Sequence, residues 1–210
     1  MKAVRGPHLE VDLPTSDERS FILALLASPD IHRPLGCPRP PTRVEFDAGL
    51  LPIAEGDGMD LEEVAYLIIR DRRDRRPLGF FLHYGWDTPR DLTRELDVAF
   101  APGARAGPAL ALEALVMGGI YLFQNGLARR LRWRVAHGKG APRQLFARIG
   151  GQRLTTLTDP DPLTGELLAR DLWELSREAY EGVLTRLGCD VKQLGETGEG
   201  PAPELWALLA

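Results

Sequence analysis

The sequence predicts an α+β fold: a mixed, mostly antiparallel sheet of about seven strands flanked by helices, in a three-layer α/β/α arrangement. Three observations carry this. Strand-like and helix-like segments follow one another in mixed order along the chain. Residues 64–70 (VAYLIIR) and 78–84 (LGFFLHY) are rich in β-branched and aromatic side chains and read as paired strands. The segment 108–124 (PALALEALVMGGIYLFQ) is apolar almost all round, as a helix buried against a sheet is.

Taken in order, His8–Leu13 (HLEVDL) alternates polar and apolar residues like a half-buried strand, and Pro14 ends it. Thr15 or Ser16 caps the next helix, with Asp17 and Glu18 in its first turn. Phe21, Ile22, Leu25 and Leu26 form its apolar stripe, and Ser28-Pro29 stops it. Residues 34–59 are rich in proline and glycine and lack periodicity. They read as one long connection, either a mobile surface loop or a lid over a substrate. Between the paired strands, Asp71–Arg76 (DRRDRR) reads as a solvated turn that blunts an edge. Thr93–Phe100 is the next strand. Pro108 stands at a tolerated first-turn position of the apolar helix, and Asn125-Gly126 ends it. Leu131–Val135 is a strand, Ala141–Ile149 a short helix, Arg153–Leu157 and Leu167–Leu175 further strands, and Ser176–Leu187 the last helix. Residues 1–188 then form one domain. Residues 189–210 form a flexible extension whose closing Leu205–Leu209 is a docking turn or a disordered end.

With 26 basic and 30 acidic residues intermixed, the net charge of −4 offers no footprint for nucleic acid. No run reaches the roughly 20 apolar residues of a membrane helix, and residues 1–13 hold no apolar signal core. The expectation is a soluble, cytoplasmic protein with no membrane partner. Cys37 and Cys189 match no metal or disulfide spacing, and no metal is expected. HExxH, CxxC, GxSxG, the GxxxxGK[ST] phosphate loop and the dinucleotide fingerprint are all missing, which excludes the chemistries they carry.

The most informative stretch is 93–151. A strand running through a Gly/Ala-rich turn into a helix makes an anion cradle, because the turn's N–H groups and the helix N-terminus converge there. Here the order is TRELDVAF, then the turn Gly103–Ala111 (GARAGPALA), then the apolar helix, then RRLRWRVAHG and APRQLFARIGG. In this order the stretch resembles the acyl-coenzyme A core of the GNAT superfamily of N-acyltransferases, and residues 8–187 follow that family's layout. Ser28-Pro29-Asp30 with Leu35-Gly36 resembles the subgroup that acetylates protein N-termini or small amines.

The resemblance implies acetyl-CoA or another acyl-CoA as co-substrate, its pantetheine arm lying beside Val98, Ala99 and Phe100 like an added strand. It places the pyrophosphate on Arg105, Ala106, Gly107, Ala109, Leu110 and Ala111. The family pattern Arg/Gln-x-x-Gly-x-Gly/Ala is altered here. Aligning on Leu112-Glu113-Ala114-Leu115 puts Ala106, Ala109 and Ala111 at its three motif positions, and Pro108 removes one N–H from the cradle. Lys139, Pro142 and Phe146 stand where the family often has Asn, then Ser or Ala, then Tyr or Leu. Phe146 has no proton to give a leaving thiolate.

An amine attacking a thioester needs a base, an oxyanion stabiliser and two positioned reactants. Glu95, Asp97 and Ala99 share one face of their strand, and Leu96, Val98 and Phe100 the other. Bases of the family often sit on this strand, which makes Glu95 the first candidate and Asp97 the second. His137, just beyond a strand end, is a third, and His83 and Tyr84 are weaker ones. The implied function is an acyl-CoA-dependent N-acyltransferase, acetyl in the first instance. Its acceptor would be an amine-bearing small molecule, peptide or protein N-terminus. The altered motifs leave a second reading open: a GNAT-fold protein that binds a ligand or partner without turnover. A homodimer also stays open.

Overall fold

The computed structural model describes residues 3–55, 58–85, 92–104, 107–138, 140–160 and 164–186. The expected strands all form, within a nine-stranded sheet rather than one of seven. The expected extension at 189–210 lies outside the described residues.

A short β1 (Val4–Arg5) turns back into β2 (Leu9–Asp12). Helix α1 (Ser16–Leu26) is capped by Thr15, with Glu18 completing a capping box, which decides between the two candidate caps. Pro29 then opens a one-turn α2 (Pro29–His32) instead of only stopping α1, since proline suits a first helical position. The stretch read as one long connection holds two further elements, α3 (Arg43–Asp47) and β3 (Leu50–Glu55). Thr42 and Glu45 build a second capping box there, a signal too short to stand out amid the prolines. Strand β4 (Gly58–Asp71) also starts earlier than its β-branched half suggests. Its first half pairs with β3, and its second half with β2 and with β5 (Pro77–Gly85).

Strand β6 (Thr93–Phe100) pairs antiparallel with β5 along its whole length. The chain crosses through α4 (Pro108–Gln124) to β7 (Arg130–Ala136), which lies parallel to β6. Then come α5 (Gly140–Arg148), β8 (Gln152–Pro160), β9 (Leu167–Ser176) and α6 (Arg177–Arg186), with β9 inserted between β7 and β8. Each of the last two strands is longer than its apolar core predicts, because the β8–β9 hairpin continues through polar residues.

Strand alternation divides the hydrophobic residues between two faces. The back-face core carries α4, α5 and α6 on residues such as Phe81, Leu96, Leu131 and Trp133. The front-face core carries α1, α2 and α3 on residues such as Tyr66, Phe80, Leu82 and Ala99, and contains no residue of β7, β8 or β9. Helix α4 is buried almost all round, as its composition predicts. Its one acid, Glu113, is buried too and accepts from the backbone N–H groups of His8 and Leu9, both at 2.8 Å. It thereby fastens the β1–β2 turn to the central helix. Among the described residues no helix is long and apolar enough to cross a membrane.

Replacing Glu113 by leucine strands two backbone donors. We expect denaturant unfolding to show a loss of about 2 kcal/mol, partly recovered in Glu113→Gln. An unchanged midpoint would remove the fastening role.

Candidate active site

The site begins where a parallel ladder stops. Strands β6 and β7 pair only at Thr93–Arg130, Arg94–Leu131 and Glu95–Arg132, and then part. The N–H of Ala101 donates to Leu78 of β5, while the carbonyl of Leu92 accepts from β7 side residues Arg129 and Arg130. With no register shift between β5 and β6, odd-numbered residues therefore bond to β5 and even-numbered ones face β7. Beyond the parting, the backbone N–H and C=O groups of Val98 and Phe100 are aimed into the gap.

That gap widens into a cleft of about 920 Å³ between β6, β7, α4 and α5. Its volume suits a small-molecule site. Val98 and Asp97 line one wall, and Trp133, Arg134 and Ala136 the other. Gly107, ahead of α4, with Ala109 and Ala111 of its first turns, closes one end, and Phe146 of α5 packs 4.7 Å from the Trp133 ring at the side. Gly107 is the N-cap and Pro108 the first helical residue, so the N–H groups of Ala109 and Leu110 remain as first-turn donors without helical partners. A Cβ on Gly107 would meet nothing within 4 Å, so the cradle is open. Gly103, at φ +87°, makes the turn into it that a side chain would strain.

Several expected donor-site residues meet at this cleft: Val98, Gly107, Ala109, Ala111 and Phe146. Ala99 is turned away, its backbone towards β5 and its side chain in the front core. Phe100 offers its backbone while its ring packs on the back core, and Leu110 also packs there. Arg105, Ala106 and Lys139, along with the side chain of Pro142, lie outside the described residues.

The two strand carboxylates face forward together. Glu95 is buried and lies 3.4 Å from Nε of Arg134. Asp97 is half-buried and accepts a long, 3.4 Å hydrogen bond from the Tyr84 hydroxyl. Burial, helped by the neighbouring Glu95 charge, pushes the Asp97 carboxyl up to about 7. Burial beside both carboxylates also raises Tyr84, so its proton stays in place at neutral pH. His83 points to the back instead; burial pushes it down to about 4, which keeps it neutral.

His137 does not join Asp97. Its Nδ1 lies 3.0 Å from Oδ1 of Asp171, on the α5 side of the sheet. Asp171 is fully buried and also accepts from Thr156 at 2.8 Å, with Arg143 and Arg153 at 3.3 and 3.4 Å. Hydrogen bonds from His137 and Thr156 hold its carboxyl down at about 2. Because Arg143 belongs to α5, this carboxylate ties one wall of the cleft to β9. Among the described residues no cluster of three or more His, Cys, Asp or Glu is placed to hold a metal.

No protein-family model matches the sequence, and no curated protein matches it either. Solved structures do match. Spermidine N-acetyltransferase from Vibrio cholerae, in complex with CoA and spermine, superposes with a TM-score of 0.63 at 12% identity, covering 82% of this chain and 98% of that one. The chain has the GNAT acetyltransferase fold. A GCN5-related N-acetyltransferase from Brucella melitensis agrees (TM-score 0.60, 17% identity, 97% and 86% covered). So does aminoglycoside acetyltransferase AAC(6')-Ib in complex with coenzyme A (0.57, 18%, 83% and 98%).

Within this GNAT fold, Arg134 and the Asp171 cluster carry no signal that the sequence alone would single out. Arg134 is one of three alternating arginines on β7, and only the strand pairing puts it on the face of Glu95, 3.4 Å from that carboxylate. Asp171 sits inside an otherwise ordinary strand pattern. Its depressed carboxyl stabilises the fold above the usual aspartate range and loses that effect as pH falls from about 4 to about 2. We expect Asp171→Asn to show a shallower loss of stability across that window, followed by circular dichroism. Equal slopes in both proteins would take Asp171 out of the account.

Proposed function

We propose that this protein is an acyl-CoA-dependent N-acyltransferase, with acetyl-CoA as the first donor to test. The observation that carries the reading is the parting of β6 from β7 over a cleft that runs to the open N-terminus of α4. An extended, amide-bearing arm can add to the free edge of β6 through Val98 and Phe100, as a strand would. The diphosphate it carries would lie at the first turn of α4, on the N–H groups of Ala109 and Leu110. Pro108 weakens that cradle by one donor, about 1.5–3 kcal/mol for a charged partner.

Amine acyl transfer breaks the acyl–sulfur bond and forms an acyl–nitrogen bond. The amine gives up a proton, and the departing thiolate takes one up. Asp97 is our assigned base: it lines the cleft, and a carboxyl near 7 is ionised enough to accept a proton while remaining basic enough to do so. The Tyr84 hydroxyl orients that carboxylate, and Glu95 keeps Arg134 beside it. The neighbours' bound CoA and amine substrates support the same reaction class. Phe146, packed against Trp133 and without an ionisable proton, favours the competing reading of binding without turnover.

Excess acetyl-CoA should raise the melting temperature by several degrees, as a ligand at a hundred times its Kd adds about 2.7 kcal/mol. No shift with acetyl-CoA or longer acyl-CoAs would sink the donor assignment. With turnover in hand, kcat/KM should climb with pH and show a limb near pH 7. Asp97→Asn should lose that limb and about a hundredfold or more in rate. A variant that binds donor normally and retains full rate would discard Asp97 as the base.

A further inference from the structure

The acceptor side of the sheet has an unusual charge layout. The front helical layer ends at β6, so the front face of β7 and β9 beside Asp97 lies outside that core. Strand alternation and register fix which side chains stand there. Arg132 pairs with Glu95 across β6–β7, and Ala136 pairs with Arg170 across β7–β9, so Arg130, Arg132, Arg134 and Arg170 share the face of Glu95 and Asp97. Glu174 stands on it too, where it receives the Arg132 guanidinium at 2.8 Å.

Among the described residues of β6, β7 and β9, that face therefore presents four guanidinium groups against three carboxylates. One carboxylate, Asp97, titrates near neutrality. Arg134 lines the cleft mouth and is partly exposed, one strand from Asp97; Arg170 stands one strand further, about 5 Å per step. Both cations act on the Asp97 charge. The matched structures hold polycations, spermine and kanamycin. On this face a polycation would set its further ammonium groups against arginines, and like charges brought together cost affinity.

Resting on the acyltransferase reading above, we propose that the acceptor is an amine carrying a carboxylate, a free amino acid or short peptide. The amine sits at Asp97 and the carboxylate on Arg134 and Arg170. A guanidinium holds a carboxylate through two parallel hydrogen bonds, which gives position as well as attraction. Polyamines and aminoglycosides bring no anionic group to those donors.

The experiment is a turnover panel with acetyl-CoA and the full chain: the free amino acids and a set of dipeptides, each beside its C-terminal amide, with spermidine and kanamycin as counter-substrates. Free carboxylates should exceed their own amides by about tenfold or more in kcat/KM, the size of one charge-assisted pair. Arg170→Gln should raise KM for the acids by a larger factor than for the amides, which feel Arg170 only through its charge on Asp97. Amides equal to acids, preferred turnover of spermidine or kanamycin, or no turnover of any carboxylate-bearing amine while acetyl-CoA still shifts the melt would each overturn the proposal. Absence of the acetyl-CoA shift is a separate result, and it removes the donor reading first.

Discussion

The site depends on one interrupted interaction: the parallel ladder between β6 and β7, which lasts three residue pairs and ends at Glu95–Arg132. A sheet normally satisfies its backbone groups strand by strand, and an unpaired N–H or C=O in a dry interior is costly. Here β6 keeps its β5 partner throughout and loses its β7 partner halfway. The unspent hydrogen-bonding capacity at Val98 and Phe100 is thus confined to one short edge. Everything of chemical interest lies along it: the turn into α4, the Trp133–Phe146 wall, and the pair Glu95 and Asp97.

The parting is held open from behind. Helix α4 crosses from β6 to β7 and is buried on nearly every side, so both strands pack on one rigid rod whatever their spacing. Glu113 locks that rod to the β1–β2 turn. Helix α5 is pinned at its other flank, with Phe146 set between the rings of Trp133 and Trp173 and Arg143 drawn to Asp171. The back face thus sets the width of the cleft, and the front face supplies charge.

Much of this was legible in the residues. The almost wholly apolar run from Leu110 to Phe123 reads as a buried helix, and the Gly/Ala turn before it marked the cradle. Alternation put Glu95 and Asp97 on one face without any coordinates. What sequence could not supply was depth and neighbourhood. Nothing in TRELDVAF says that Glu95 lies against Arg134, or that burial beside Glu95 raises the Asp97 carboxyl, because both follow from the strands packed around it. Which face the arginines of β7 take, and that they stand beside β6, comes only from register. The 34–59 stretch hid α3 and β3, since prolines mask a one-turn helix and a strand with interrupted alternation. His137 looked available at a strand end, and only the fold delivers it to Asp171.

The front core stops at β6, while the back core runs on to β7 and β9. Mechanically this makes the sheet a seamed object. Its two halves share the α4 packing and three residue pairs of ladder, and beyond those pairs no ladder bond among the described residues resists a change in the angle between them. The soft deformation of such a body is a hinge along the seam, opening or narrowing the front mouth while the cores ride as blocks. An arm laid into the gap would add the missing rungs and turn two hinged plates into one continuous sheet.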